Sequence, residues 1–95
     1  MVAAPVPPTL DGAVPIAVAD TSKSSATGAT RHTVGGEEQP DFEKLVIAQY
    51  PGASDYYLFY CRDDWSVVTD TWHRSIEAAK AQAAFEYDGI EFTVV

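Results

Sequence analysis

Asp70, His73 and Cys61 are the residues whose types could combine into a reaction centre: a carboxylate to orient an imidazole, and a thiol that the imidazole would activate as a nucleophile. Distance in sequence does not forbid the trio. No glycine-rich elbow or other oxyanion donor set accompanies it, however. The structural reading has Asp70 and Thr71 capping a strand-to-helix junction, His73 exposed beside them, and Cys61 as inert core in an apolar strand. Asp70, His73 and Glu77 are spaced by three and four, which brings three side chains to one face only on a helix. Ser75 reads as the start of that helix, so Asp70 and His73 fall outside it, and His32 is distant. Gly35-Gly36 is followed by acids and no lysine, so it does not cradle a phosphate. No catalytic residue, cofactor site or metal site is assigned.

A second chemistry is recognition. Tyr50, Tyr56, Tyr57, Phe59, Tyr60, Trp65, Trp72, Phe85, Tyr87 and Phe92 are more aromatic side chains than one thin core buries. Tyrosine and tryptophan are common anchors of protein interfaces. The charge is compatible with a basic protein partner without demanding one: fourteen Asp and Glu against six Lys and Arg give a net charge of −8. Residues 41–95 carry ten of those acids and four of those bases, so most of the excess lies there. Phosphate binding needs clustered positive charge, which makes direct nucleic-acid binding, and docking on an anionic membrane, poor expectations. A basic protein surface or a second copy of the chain fits better. Tyr56, Tyr60 and Trp65 on an open sheet face, with Phe85 on the outer helix face, are the candidate contacts. Asp63, Asp64, Glu86 and Asp88 are the candidate polar rim.

The elements that must position these residues lie mainly after Pro40. The first forty residues hold no aromatic side chain. Pro5, Pro7, Pro8 and Pro15 interrupt the opening stretch, and residues 1–12 read as an extended tail. Ala13 to Asp20 is the one part of this arm that could pair as a strand, with Pro15 confining it to an edge. Thr21 to Pro40 is rich in Ser, Thr and Gly and reads as loop. The expected organisation is a flexible or partly docked arm over residues 1–40 and a small domain over residues 41–95.

Within that domain, Phe42 to Tyr50, Tyr56 to Arg62 and Trp65 to Trp72 have the β-branched and aromatic content of strands. An even-length turn at Asp63-Asp64 would put Tyr56, Leu58, Tyr60, Val67 and Thr69 on one face. Tyr57, Phe59, Cys61, Val68, Asp70 and Trp72 would form the other, and an odd loop would break that division. The Phe59–Cys61–Val68–Trp72 face is expected to lie under the helix. Ser75 caps a helix from Ile76 to Asp88, stopped by Gly89, with Ile76, Ala79, Ala83 and Tyr87 on its inner face and Phe85 without a partner. Ile90 to Val95 supplies a last strand. The fold class is α+β: an antiparallel sheet of three or four strands in the order β-β-β-α-β, with one helix on one face.

The run YCRDDWSVVTDTWHRSIEAAKAQAAFEY resembles a group of small uncharacterised bacterial proteins that share an aromatic hairpin, a Thr-Asp-Thr-Trp-His junction and an Ala-rich helix. The resemblance implies one folded module and supplies no catalytic residue. The opening segment lacks the positive start and unbroken apolar run of a secretory signal, and a lone cysteine suits a reducing cytoplasm. The function expected is a non-catalytic protein-interaction module, as a homodimer or as an inhibitor or immunity-type protein on a basic surface. The alternatives are a small enzyme centred on Asp70, His73 and Cys61, and an acidic accessory module with no specific site.

Overall fold

The apolar run at Leu45–Ala48 is buried on both faces, and this places its strand at the centre of the sheet. The computed structural model describes residues 6–27, 33–38 and 42–95. Its elements, in chain order, are β1 (Val14–Asp20), a 3-10 turn (Thr21–Lys23), β2 (Ser25–Ala26), β3 (Thr33–Val34) and β4 (Glu37–Glu38). There follow β5 (Lys44–Gln49), β6 (Tyr56–Cys61), β7 (Val67–His73), α1 (Ile76–Glu86), β8 (Tyr87–Asp88) and β9 (Thr93–Val94). The main sheet has five antiparallel strands in the order β7-β6-β5-β1-β9. The α+β class with one helix is as expected. The strand count is corrected to five.

The added strand comes from the arm. β1 lies between β5 and β9 rather than at an edge, and Pro15 is accommodated because the register with β5 shifts between Pro15 and Ala17. Residues 6–12 are not a simple tail either. Leu10 and Ala13 exchange two backbone hydrogen bonds of 2.8 Å around Asp11-Gly12, both at positive φ, which is the two-residue hairpin turn that Asp-Gly favours. Further on, the Thr27 amide donates to the Glu86 carbonyl at 2.9 Å and its Oγ1 to the Phe85 carbonyl at 2.7 Å, satisfying carbonyls that the end of α1 leaves open. β2 pairs with β8 beside this clasp. The packed unit therefore begins well before residue 41. The boundary expected at residue 41 and His32 both lie outside the described residues.

The helix sits on the other face from the one expected. Tyr60, Leu58, Leu45, Ile47, Ala17 and Ala19 form a core with Ala79, Ala83 and Tyr87, and Tyr56, Val68 and Ile76 pack at its margin. Ala17 and Ala19 of β1 join this core at one side, while α1 itself lies mainly over β6, β7 and β5. The opposite face carries Phe59, Cys61, Val46 and Ala48 under Leu10, Ala13 and Trp65. The division of faces along the hairpin holds except at Val67 and Val68, which exchange sides. The loop is odd: Trp65 N–H donates to the Arg62 carbonyl and Arg62 N–H to the Ser66 carbonyl, each at 2.9 Å. A bulge at Val68, opposite the Tyr60–Cys61 step, then restores the phase.

The helix follows its sequence signals. The Ser75 Oγ accepts from the Ala78 amide at 3.0 Å, and α1 ends at Glu86, two residues before the expected stop, because Tyr87 and Asp88 leave to pair with β2. The last strand is shorter than expected, Thr93–Val94.

Candidate functional site

Cys61, His73 and Asp70 are not brought together. Cys61 is fully buried on the Leu10–Trp65 face, whereas His73 pairs with Tyr56 on the helix face and its Nε2 lies 2.7 Å from the Thr71 hydroxyl. Burial, helped by the nearby Asp11 and Asp64 charges, pushes the Cys61 thiol up to about 12, so it is no thiolate at neutral pH. Burial also lowers the His73 pKa, with the Glu86 charge opposing the shift. The trio forms no catalytic centre. Among the described residues, no group of three or more His, Cys, Asp and Glu is placed to hold a metal ion.

The expected contact surface is partly dismantled. Tyr60 and Glu86 are buried, so they cannot be surface anchors or rim, and Trp65 is buried in the core and reaches the surface only where it lines a groove. Tyr60 is held because its hydroxyl donates to Glu86 Oε2 at 2.5 Å, and burial together with that carboxylate drives its pKa up. Gln82 Nε2 donates to the same oxygen at 2.6 Å. Tyr56 is half-buried at the helix-side core rather than on an open face. Asp63, Asp64, Asp88 and Phe85 are exposed as expected, Phe85 to 59%. Trp72, expected beneath the helix, is instead 52% exposed on the opposite face, its Nε1 donating to Asp55 Oδ2 at 2.6 Å.

A site that the sequence reading missed lies where the hairpin tip meets the end of β1. Register brings Asp20 opposite Lys44 and Lys44 opposite Cys61. The Lys44 side chain is 7% exposed; its Nζ donates to Asp20 Oδ2 at 2.6 Å, stands 3.8 Å from Asp63 Oδ1, and lies 5.5 Å from the centre of the Trp65 ring. The hydrogen bond from Lys44 and that from the Ser22 amide lower the Asp20 pKa to about 2. Trp65 occupies the left-handed region at φ 71°, the third loop position that normally takes glycine. Its side chain is nevertheless buried, because it closes the core over Cys61. Asp64 fixes the turn by accepting from the Ser66 amide and hydroxyl, at 3.0 and 2.6 Å, and those bonds lower its pKa.

Beside this cluster runs a groove of about 670 Å³, lined by Val18, Asp20, Lys44 and Trp65 on one side and by Gly89, Glu91 and Thr93 on the other. Its volume is in the range of ligand sites, about 300–1,000 Å³. Of the charged side chains that line it, Lys44 is bonded to Asp20 and Glu91 is a second carboxylate. Arg62, at the same hairpin tip, stands 3.6 Å from Glu43. The signals were present as Lys44 within an otherwise apolar strand and Asp-Asp-Trp at the turn, but only pairing with β1 joins them. Comparison with known proteins adds no assignment: no family model matches the chain, and no match was found among curated proteins or solved structures. Among the described residues, no helix is long and apolar enough to cross a membrane.

Proposed function

We propose that the protein is a non-catalytic interaction module that binds a lysine- or arginine-bearing segment of a partner protein in the groove between β1 and residues 89–93. The observation that carries this reading is the groove itself, with Trp65 and Val18 as apolar wall, and with Asp20 and Glu91 as carboxylates facing an incoming cation. The net charge of −8 would steer such a partner from a distance. An inhibitor or immunity-type role, in which the segment belongs to a basic surface that the module covers, is one form of this function. A reducing cytoplasm suits its lone thiol.

The test uses a fluorescein-labelled peptide of alternating valine and lysine, and its glutamate counterpart, with the full chain. The lysine peptide should bind, weaken as salt rises, and lose about tenfold on Glu91→Lys, roughly the 1.4 kcal/mol per decade of one charged contact. Equal binding of both peptides, or indifference to Glu91→Lys, would overturn the reading.

A further inference from the structure

β7 forms one border of the main sheet, and among the described residues no strand pairs with its outer edge. The direction of its backbone groups follows from the hairpin. The Glu43 amide donates to the Cys61 carbonyl, so Cys61 faces β5; the Arg62 amide donates to the Ser66 carbonyl, so Arg62 faces β7. By alternation Tyr60, Leu58 and Tyr56 also face β7, and their partners Thr69, Thr71 and His73 face back. Asp70 and Trp72 therefore each turn an N–H and a C=O away from the sheet. The bulge at Val68 and the bend at Arg74 limit this open edge to residues 69–73. It carries neither lysine nor proline, which commonly blunt such edges. Trp72 stands on it 52% exposed, its ring already held by the indole bond to Asp55.

We infer that this edge pairs antiparallel with the same edge of a second copy, about a twofold axis through Thr71. In that register Asp70 lies opposite Trp72 of the second copy, and the outward N–H and C=O groups of both residues are all used. The axis also sets the two Trp72 rings diagonally across from one another on one face, within reach for aromatic side chains. Each then covers apolar surface that is open in the single chain. The charged side chains of the edge and its bend are Asp70 and Arg74, with Asp55 beside Trp72. Asp70 has the other Asp70 on one diagonal and Arg74 of the second copy on the other, so the like charges are offset. An axis through Asp70 would set the two carboxylates directly opposite, and one through Trp72 would leave Asp70 facing residues beyond the strand. Growth stops at two copies, because the other border of the sheet, β9, is only Thr93–Val94. The contact is small, which makes the pairing reversible and dependent on concentration. It is independent of the groove, which lies on the β1–β9 side of the sheet.

Thr69 and Thr71 share a face, so one substitution made at each in turn tests the axis. Across a non-hydrogen-bonded pair the Cα atoms stand about 4.5 Å apart, within the roughly 4.4–6.8 Å that a disulfide spans. Thr71→Cys in the full chain should therefore form a covalent dimer with oxidised glutathione, while Cys61 stays buried. Thr69→Cys, with its own copy four residues along the opposite strand and about 14 Å away, should link about tenfold more slowly. Light scattering over a concentration series reads the pairing without a cross-link. Asp70→Pro deletes an outward N–H and no bond to β6, so it should weaken the dimer about tenfold, whereas Asp70→Asn, which keeps that N–H, should not. Thermal melts check that each variant is folded. Equal cross-linking at the two positions, or a dimer indifferent to Asp70→Pro, would overturn edge pairing. A chain that stays monomeric throughout and does not link through Thr71→Cys would overturn the second copy and leave the edge to a strand of another protein.

Discussion

Lys44 and Glu86 are the two buried charged residues among those described, one on each face of the sheet, and they are held in opposite ways. Glu86 ends the helix under cover, with a tyrosine hydroxyl and a glutamine amide donating to one of its oxygens. Lys44 is buried along its stem and over Trp65, yet its partner Asp20 is half exposed and lines the groove. A buried carboxylate whose donors come from the facing strand and its own helix fixes how those elements dock. A buried ammonium tied to a half-exposed carboxylate brings its ion pair to the surface, beside the groove. The helix face is closed and structural; the arm face, closed over most of its area by Leu10, Ala13 and Trp65, opens at one end.

The hardest way to break this comparison is to remove the arm. A chain beginning at Asp41 lacks β1 and the cover over Phe59 and Cys61, and the loss should exceed the ~5–15 kcal/mol that holds a small domain folded. Circular dichroism should then show no cooperative melt; a sharp transition would mean that β1 is dispensable. The two charges come next. Glu86→Ala leaves the Tyr60 hydroxyl buried without its acceptor and should cost about 2–3 kcal/mol, whereas Lys44→Ala leaves Asp20 free to rehydrate and should cost about 1 kcal/mol. Urea unfolding of the pair of variants checks the order, and equal costs would erase the distinction between the faces.

Trp65 sharpens the picture further. Its left-handed backbone disfavours any residue with a Cβ by about 1–2 kcal/mol. Trp65→Gly should therefore be destabilised by lost packing, yet remain about 1 kcal/mol more stable than Trp65→Ala, as read by thermal melts. The smallest effect concerns acid. Asp20 has a folded pKa of about 2 against 3.8 when free, so its contribution is present in full above the free value and disappears as pH falls through the folded one. Asp20→Asn, which retains an acceptor for the Ser22 amide, should flatten the stability profile between pH 4 and 2 in urea titrations at stepped pH.

Local signals were sufficient wherever one segment specifies its own structure. The Ser75 cap and the Ile76, Ala79, Ala83 and Tyr87 stripe determined the helix and its inner face, since capping and the 3.6-residue period act within a few residues. The aromatic content of Tyr56–Cys61 and the turn residues after it determined the hairpin. Asp11-Gly12 was just as local and legible, but it sits among prolines that suggested a tail. What the sequence could not determine was which face the helix covers, because both faces of β6 are apolar and periodicity does not choose between them. The opposite face is taken by Leu10 and Ala13 of the turn preceding β1, together with Trp65, and this leaves the Leu58–Tyr60 face to the helix. The groove has the same origin. Asp20, Lys44, Trp65 and Glu91 come from four separate stretches of chain, and only the register of β1 against β5, the odd loop at Trp65 and the early departure of β9 bring them to one place. Register and strand order are properties of long-range pairing, which no local pattern encodes.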